Sequence, residues 1–421
     1  MVAILVAVLT ASAVPASATP PGWTREASPD APGALVTIFE GDSCTSAPSC
    51  VAVGFTGSAA PYSPVAEHWN GKTWTLHTVP GTPGVSAVLV QVSCQGTRFC
   101  MAVGTGGGLD LAERWDGTAW TKVPTPTVAG ATTDALTGIQ CSGPDWCMAV
   151  GAVETPTYRS VTELWNGTSW SIVPVTPAPG GVANVLTTVS CLGRSFCTAV
   201  GFIRSGAGNT YRDLIMEWNG ASWTTRTAPN PSAAFDEFLG VSCVSPTWCV
   251  AVGEDTVASH PQTLAMVGIG ATWTVTPSPD ISTTFQNNFT SVSCLSRVNC
   301  VGVAWGGGIP ADGGAIQTLS EQWNGTSWSI VPSPIGSGGS QFNSVSCVAG
   351  DACTAVGNIT GATTSDTLAM TLPETTPGYR MVASDGGVFA FGGAGFSGSM
   401  GGHPLNQTIV AMADTRDAKG Y

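Results

Sequence analysis

The chain has 421 residues, and its 14 Lys and Arg stand against 27 Asp and Glu, so the formal net charge is −13. The lysines, Lys72, Lys122 and Lys419, are far apart, and no basic cluster occurs. This pattern excludes nucleic acid or an anionic membrane surface as the partner, since either needs Lys and Arg concentrated on one face. Charged residues make up only 10% of the chain, whereas Gly (53), Pro (29) and Trp (15) are abundant. Such a composition favours a folded, turn-rich β protein.

The N-terminus carries an apolar run at residues 3–14, followed by the small-residue pattern Ala16-Ser17-Ala18. The run is too short to span a bilayer, which takes about 20 residues, so we expect residues 1–18 to be a secretory signal peptide. No Lys or Arg precedes the run, which departs from the usual signal, and a buried N-terminal strand is the alternative. No other stretch reaches transmembrane length.

The fourteen cysteines form seven pairs, all with the spacing C-x5-C. Zinc sites prefer a C-x2–4-C spacing with nearby histidines, and this chain has only four His. We therefore predict seven local disulfides formed in an oxidising compartment, with free buried thiols as the alternative. The pairs are Cys44/Cys50, Cys94/Cys100, Cys141/Cys147, Cys191/Cys197, Cys243/Cys249, Cys294/Cys300 and Cys347/Cys353.

The cysteine pairs mark a repeat, because the first cysteines lie 50, 47, 50, 52, 51 and 53 residues apart. Each unit has an apolar strand ending in V-S-C, five residues, C-x-A-V-G, a variable loop, and then E-x-W-N-G-x-x-W-x-x-V-P. Two short apolar runs flank the cysteine turn, and two more flank Asn-Gly or Asp-Gly, a strong hairpin signal. Four antiparallel strands per unit at this period predict the blades of a β-propeller. Paired tryptophans recur at 69/74, 115/120, 165/170, 218/223 and 323/328, whereas the fifth unit keeps only Trp273.

The E-x-W-N-G-x-x-W-x-x-V-P stretch resembles the kelch pattern of Glu, an aromatic residue, a turn pair and Trp. The A-V-G segment also resembles part of the kelch glycine turn. The resemblance covers about residues 22–372 and implies a kelch-like secreted propeller. The chain departs from the kelch pattern in two ways, since the double glycine is usually absent and the disulfide is not a kelch feature.

The number of blades follows from the seventh unit, in which 373–377 (P-E-T-T-P) replaces the fourth strand. The missing strand is present at the N-terminus, where Trp23-Thr24 leads into Ser28-Pro29 as the fourth strands elsewhere lead into Pro. A ring closed in this way has no exposed edge. We therefore predict a seven-bladed all-β propeller at residues 19–373, with the N-terminal strand completing the last blade.

Residues 374–421 differ in composition and form a linker plus one β repeat with a turn at Asp385-Gly386-Gly387. The segment resembles G-Y-x-x-V-A-S-D-G-G-V-F-x-F-G repeats found in tandem in secreted bacterial proteins. One copy cannot bury its apolar face alone. Either the chain is a truncated form of a longer protein, which we favour, or this segment docks on the propeller.

Residues that recur in every unit are interpreted as structural, because a site needs asymmetry. We expect Glu67, Glu113, Glu163 and Glu321 to be hydrogen-bonding anchors, and the paired tryptophans and the aromatic residues before second cysteines to be core. The histidines, His68, His77, His260 and His403, are taken to lie in different units, so we predict no metal, no cofactor and no catalytic residue. N-glycosylation sequons begin at Asn166, Asn288, Asn324, Asn358 and Asn406. Asn166 and Asn324 are also the asparagines of Asn-Gly turns, and we interpret the turn as their main role.

The long loops between the second and third strands and between blades emerge on one face, and binding usually lies in such loops. Our first hypothesis is a secreted or cell-wall-associated, monomeric, non-catalytic propeller that binds an extracellular glycan or protein there. The alternative is a carbohydrate-active hydrolase or lyase that uses carboxylates on that face. The candidate ligand-binding residues are Tyr62, Asp110, Tyr158, Tyr211, Asp213, Glu254, Asp255, Trp305 and Asp312.

Overall fold

The computed structural model describes residues 22–206, 210–232, 234–257, 260–282, 285–307, 315–334, 339–349, 352–361, 363–373, 379–382 and 388–391. The predicted signal peptide, Asp312, His403 and Asn406 lie outside these ranges. Within them the chain forms thirty β-strands and no helix, so nothing in this part of the chain is a helix able to cross a membrane.

The first three blades each contain four strands in chain order from the innermost to the outermost. The first blade has β2 (Val36–Ser46), β3 (Ser49–Gly57), β4 (Ser63–Trp69) and β5 (Trp74–His77). The second has β6 (Ala87–Cys94), β7 (Cys100–Gly106), β8 (Leu109–Trp115) and β9 (Trp120–Val123). The third has β10 (Thr133–Gly143), β11 (Trp146–Glu154), β12 (Tyr158–Trp165) and β13 (Trp170–Ile172).

The next three blades repeat this order. The fourth has β14 (Ala183–Cys191), β15 (Cys197–Arg204), β16 (Tyr211–Trp218) and β17 (Trp223–Arg226). The fifth has β18 (Asp236–Ser245), β19 (Trp248–Val257), β20 (His260–Ile269) and β21 (Thr272–Val275). The sixth has β22 (Asn287–Ser296), β23 (Asn299–Gly306), β24 (Gln317–Trp323) and β25 (Trp328–Ile330).

The seventh blade is built from both ends of the propeller sequence. Its first three strands are β26 (Gly339–Val348), β27 (Ala352–Thr360) and β28 (Ser365–Leu372), and its fourth is β1 (Thr24–Glu26), antiparallel to β28. The register places Thr24 opposite Thr371, so Trp23 lies where the fourth-strand Trp lies in the other blades. Its ring is 3% exposed and lies 5.4 Å from Phe342. The predicted closure by the N-terminal strand is thus confirmed.

The ring is closed at its centre as well, because each innermost strand contacts the innermost strands of both neighbouring blades. One parallel bridge, Val36 to Ser365, additionally joins the seventh and first blades into one eight-stranded sheet. Outside the ring, β29 (Tyr379–Val382) and β30 (Val388–Phe391) pair as a two-stranded sheet. The predicted turn between them lies outside the described residues.

Seven disulfides join the two inner strands of the seven blades, each within its own C-x5-C pair, as predicted. In every pair the two cysteines are directly opposed in the antiparallel register, with Cα atoms 3.9–4.0 Å apart. The cysteine hairpins and the Asn-Gly turns lie at the same end of the blades, which we call the cysteine face. The opposite end, which carries the β3–β4 type loops and the blade-to-blade connections, is the loop face.

The second cysteine of every pair is buried and belongs to a hydrophobic cluster of the core. Their exposed fractions run from 0% at Cys147 to 4% at Cys249. The disulfides are therefore structural cross-links of the core, and these cysteines are not accessible as part of a ligand-binding site. The seven second cysteines are Cys50, Cys100, Cys147, Cys197, Cys249, Cys300 and Cys353.

The Asn-Gly turns are stabilised by hydrogen bonds within the turn itself. In the third blade the Oδ1 of Asn166 accepts hydrogen bonds from the backbone N–H groups of Thr168 and Ser169, both at 2.9 Å. Gly167 adopts a φ of +96°, which disfavours a residue with a Cβ. Asn324 makes the same turn in the sixth blade, so both sequon asparagines use their side chains within the turn.

The core lies between blades. Each hydrophobic cluster combines residues of two adjacent blades around a buried Trp, and all the tryptophans of the repeat are at most 8% exposed. The two rings of a Trp pair lie 5.6–5.8 Å apart. In the fifth blade Gly268 faces Trp273 across the strands, and a Cβ at Gly268 would lie 2.8 Å from that ring. The tryptophans therefore hold neighbouring blades together.

The serine of V-S-C also connects blades, a role that was not predicted. In six of the seven blade junctions its Oγ accepts the backbone N–H of the first cysteine of the next blade at 2.9–3.0 Å. Ser346 closes the ring in this way by accepting from Cys44. The third blade has Gln140 at this position, and its amide donates to the Cys141 carbonyl instead.

Candidate functional site

The tyrosine candidates of the loop face differ in what their rings contact. Tyr62 is half-buried against Phe55, with ring centroids 5.1 Å apart. Tyr211 is half-buried between Phe202 at 5.2 Å and Phe235 at 4.6 Å. Only Tyr158 among the three is exposed, at 43%. Tyr62 and Tyr211 thus serve packing within the loop face, and Tyr158 is the one open to a partner.

Trp305 is half-buried on β23, where it stands between Asn288 and Thr318 on the neighbouring strands. The remaining candidate of the sixth blade, Asp312, lies outside the described residues. Asn288, directly opposite Trp305, is hydrogen-bonded to the candidate Glu254 of the fifth blade.

Three of the acidic candidates are brought together at the loop face between the fourth and fifth blades. Asp213 begins the buried part of β16, while Glu254 and Asp255 lie near the end of β19. The structure adds Asp236 and Glu237, which the sequence analysis missed. Asp236 is directly opposite Asp255, and Glu237 is directly opposite Glu254. We call these five residues the blade-five carboxyl group.

Burial and mutual repulsion make this group unusual. Burial, reinforced by Asp236 and Asp255, raises the pKa of Asp213 to about 9. The pKa values of Asp236, Glu237 and Glu254 rise to about 7 mainly through burial, and that of Asp255 to about 6. Both carboxyl oxygens of Asp213 lack a hydrogen-bonding partner. Like charges directly opposed on neighbouring strands destabilise a sheet, so a positive group at this position would be favourable.

Accessibility divides the blade-five carboxyl group into two layers. Asp213, Asp236 and Glu254 are buried, at 5%, 0% and 9% exposure. Glu237 and Asp255 are half-buried and reach solvent. Because the pKa of Asp213 is about 9, this buried carboxyl is protonated at neutral pH, and the solvent-accessible carboxyls of the group are Glu237 and Asp255.

A second acidic cluster involves the candidate Asp110, which lies against Asp134 and Glu163 at the junction of the second and third blades. All three carboxyls are at most 9% exposed. Burial and the two neighbouring carboxyls raise the pKa of Asp110 well above its usual range. A hydrogen bond between two carboxyl groups requires a proton on one of them, so this cluster holds protons at neutral pH.

The repeated glutamates are anchors in only two of the four cases. Ser28 donates to Glu67 at 3.0 Å, and Ser278 donates to Glu321 at 2.8 and 2.9 Å. Neither carboxyl oxygen of Glu113 has a hydrogen-bonding partner, and Glu163 contacts the carboxyl of Asp110 in place of a serine, although both side chains are fully buried. The prediction of a uniform anchoring role was therefore wrong, because the residue that donates varies between blades.

The interpretation of the histidines also needs correction. His68 and His77 belong to the same blade, and their ring centroids are 4.3 Å apart, with Trp115 of the next blade at 4.4 Å from His68. Burial, with a smaller contribution from the neighbouring His77, lowers the pKa of His68 to about 4. Strand register brings these rings together diagonally, which spacing alone did not show. In the described part of the chain no group of three His, Cys, Asp or Glu side chains could hold a metal ion.

The loop face also exposes aliphatic side chains at one repeated position, four residues before the buried Phe or Leu of the innermost strand. Leu35 of the first blade, Val85 of the second and Val182 of the fourth are 48%, 37% and 44% exposed. The loop face thus combines acidic and apolar groups.

No family model matches the chain, and no curated protein matches it. Solved structures similar to it include YCF48 bound to D1 peptide, at 15% identity and a TM-score of 0.49, covering 84% of this chain and 99% of that one. The GH74 xyloglucanase from Xanthomonas campestris is 11% identical with a TM-score of 0.49, and the match covers 88% of this chain and 59% of that chain. The fucose-specific lectin from Aleuria aurantia is 10% identical with a TM-score of 0.39, covering 68% and 96%.

Proposed function

We propose that this protein is a secreted or cell-wall-associated, non-catalytic β-propeller with a kelch-like repeat that binds an extracellular glycan or protein through its loop face. The observation that carries this proposal is the blade-five carboxyl group, which places two half-exposed carboxylates over three buried ones. The seven disulfides indicate an oxidising environment, which supports an extracellular location. The protein acts as a monomer, and residues 374–421 form a linker and a separate repeat.

The chemistry of the loop face selects a positively charged partner. Asp255 stands opposite Asp236 and Glu237 opposite Glu254, on the two faces of the fifth blade, and both Glu237 and Asp255 reach solvent. A cationic group beside either one would relieve repulsion that the fold itself leaves in place. The exposed Leu35, Val85 and Val182 add apolar contacts around the same face. A basic segment with aliphatic residues, presented by an extracellular protein, fits this combination best.

The alternative, a carbohydrate-active hydrolase or lyase, is not favoured. A glycosidase places its two carboxyl groups on either side of a scissile bond. The carboxyls of the fifth blade are instead direct neighbours on adjoining strands, Asp236 with Asp255 and Glu237 with Glu254.

The test is an array of extracellular glycans, cell-wall fractions and basic proteins, probed with the mature, oxidised protein and with variants. We expect the Glu237→Gln/Asp255→Asn variant to lose at least tenfold in affinity for the ligands found, and the wild-type affinity to fall with salt. Asp145→Asn is the matched control, because Asp145 is an exposed carboxylate on the cysteine face. Equal binding by all three proteins would place the site elsewhere.

A further inference from the structure

A cavity of about 560 Å³ lies on the axis of the ring, between the middle of the channel and the cysteine face. It is lined by the innermost strands of all seven blades, β2, β6, β10, β14, β18, β22 and β26. Its volume falls in the range of about 300–1,000 Å³ typical of small-molecule sites. It is separate from the blade-five carboxyl group, none of whose residues lines it.

One position on the innermost strands lies beside the next blade around the axis. It follows the buried Phe or Leu, and in four blades its side chain donates to the carbonyl of the equivalent Phe or Leu in the next blade. The second and fifth blades have the apolar Val90 and Leu239 there. These bonds run from Thr137 to Leu186 (3.1 Å), Thr187 to Phe238 (2.7 Å), Thr290 to Phe342 (2.9 Å) and Asn343 to Phe39 (2.7 Å).

The first blade has Glu40 at this position. An ionised carboxylate has no proton to donate, so Glu40 cannot make the corresponding bond to the Leu89 carbonyl of the second blade. Glu40 is half-buried and lines the cavity, whereas Leu89 is not among the residues that line it. The Glu40 carboxylate is therefore an acceptor at the cavity wall that receives no donor from the next blade, and a ligand could supply one.

Asp42 departs from the repeat two residues further along β2. The other six blades have Val or Ile here, as at Val92 and Ile139. Asp42 is 5% exposed, and both its carboxyl oxygens are shielded from solvent. Its backbone N–H donates to the Ser344 Oγ at 3.2 Å, and the Ser344 hydroxyl lies against the carboxyl, where it partly opposes the effect of burial on the Asp42 pKa. The first blade thus carries a buried carboxyl behind the wall of the cavity, two residues from Glu40.

The charged side chains that line the cavity are all acidic. Glu40 and Asp42 are the only titratable side chains among the residues that line it, apart from the disulfide-bonded Cys44 and Cys94, and no Lys or Arg is among them. Burial raises the pKa of Glu40 and raises that of Asp42 to about 7. Both shifts show that the fold supplies no positive group to this wall.

The rest of the lining suits hydroxyl groups. The V-S-C serines accept from cysteine N–H groups, as at Ser93 and Ser242, which leaves each serine O–H able to donate towards the cavity. The side-chain amides of Gln91 and Gln140 add donors and acceptors.

We propose that the central cavity binds an amino sugar, with its ammonium group on the Glu40 carboxylate and its hydroxyl groups on the serine and glutamine side chains. The ammonium supplies the donor that Glu40 lacks, and the buried Asp42 carboxyl behind the wall adds no positive group that could compete for Glu40. The site is entered from the cysteine face and is independent of the loop face.

The test is titration calorimetry on the full, oxidised chain at pH 7, with a glucosamine disaccharide as the probe. We expect it to bind at least tenfold more tightly than the N-acetylated and the glucose disaccharides. Glu40→Gln should lower its affinity at least tenfold, and Asp145→Asn should leave it unchanged. Glu40→Gln should also raise the melting temperature, because an amide can donate to the Leu89 carbonyl, so lost binding cannot be ascribed to unfolding.

Three results would overturn the proposal. They are equal binding of the charged and neutral disaccharides, full affinity in Glu40→Gln, and binding of Ca²⁺ or spermidine in place of the amino sugar. Since Glu237→Gln/Asp255→Asn leaves the central cavity intact, that variant should keep its affinity for the amino sugar. The two proposals can therefore fail separately.

Discussion

At the scale of single residues, the internal repeat makes each departure visible against six other copies of the same position. Asp42 is the clearest case, because a buried carboxyl occupies the position of Val92 in the second blade and Val189 in the fourth. Those valines pack in the cores between blades. Asp42 lies at the corresponding junction of the seventh and first blades, so its charge bears directly on ring closure.

We expect Asp42→Val to stabilise the protein at pH 8 much more than at pH 4. The pKa of Asp42 is raised from 3.8 to about 7, so the folded state favours the protonated form. The resulting penalty is absent below about pH 4, grows as the pH rises to about 7 and is complete above it. At about 1.4 kcal/mol per pKa unit it amounts to at most about 4 kcal/mol. Urea unfolding at the two pH values measures it.

Asp42→Asn is the matched variant, because it removes the charge and keeps the shape. It should share the pH-dependent part of the gain without the apolar packing of Val. If both variants changed stability equally at pH 4 and pH 8, the Asp42 carboxyl would titrate in the folded protein as it does in the unfolded chain, contrary to its burial.

At the scale of elements, the segment that follows the fourth strand of one blade packs against the third strand of the next. The residue of that segment nearest the third-strand glutamate decides whether the glutamate receives a hydrogen bond. Ser28 and Ser278 each lie five residues after a fourth-strand Trp and donate to Glu67 and Glu321. Before Glu113 the same position is occupied by Val79, which is buried and has no donor. Glu113 therefore has no hydrogen-bond donor, and burial raises its pKa to about 8, partly opposed by the charge of Lys122 on the neighbouring strand.

We expect Val79→Thr to stabilise the protein at pH 9 by about 1 kcal/mol, because the new hydroxyl can donate to the Glu113 carboxylate. The pKa of Glu113 should fall, since that bond favours the charged form. The gain should shrink below about pH 8, where Glu113 is protonated in the folded state. Thermal unfolding across this pH range measures the effect.

The fourth blade supplies the control. Val175 occupies the position of Val79, and its neighbour on the third strand is Met216, which carries no carboxylate. Val175→Thr should destabilise the protein by about 1 kcal/mol at every pH, because its hydroxyl gains no such acceptor. A stabilising Val175→Thr, or a destabilising Val79→Thr at pH 9, would contradict the proposed pairing.

At the scale of the whole molecule, the short strand β1 decides whether the ring is closed. It covers the outer edge of β28, and Trp23 fills the last position of the Trp series beside Phe342. The backbone N–H of Trp23 also donates to the Pro332 carbonyl of the preceding blade. A few N-terminal residues thus connect the sixth and seventh blades and complete the seventh.

We expect removal of residues 1–26 to expose β28 as an edge and to cause concentration-dependent association. Trp23→Ala should cost about 3–5 kcal/mol of stability. Trp273→Ala is the control, because Trp273 is equally buried, at 5% against 3%, but lies in a blade built from one continuous segment. It should lower stability similarly and leave the protein monomeric, as sedimentation or light scattering would show.

A truncated protein that melted at the wild-type temperature and stayed monomeric would contradict closure by β1. The same result would leave the seventh blade with three strands. The loop-face and cavity proposals would not be affected, since neither uses β1.

The sequence by itself determined the architecture, because that information is periodic. The C-x5-C spacing predicted the seven disulfides, the W-N-G-x-x-W hairpins predicted the four-stranded blades, and the isolated Trp23 predicted the closing strand. The structure confirms all three predictions. Local turn chemistry and disulfide reach operate over a few residues, so they can be read without knowing the tertiary structure. The candidate ligand-binding residues, which have no such periodic basis, stay predictions.

Only the tertiary structure decided which carboxyls and rings meet. The contacts of Asp236 with Asp255 and of His68 with His77 depend on strand register, and that of Asp110 with Glu163 on the junction between blades. The position of Glu40 and Asp42 beside the central cavity also depends on the tertiary structure, because seven separate strands enclose that cavity. Burial and charge repulsion are sums over residues that are distant in the chain, so no local pattern contains them.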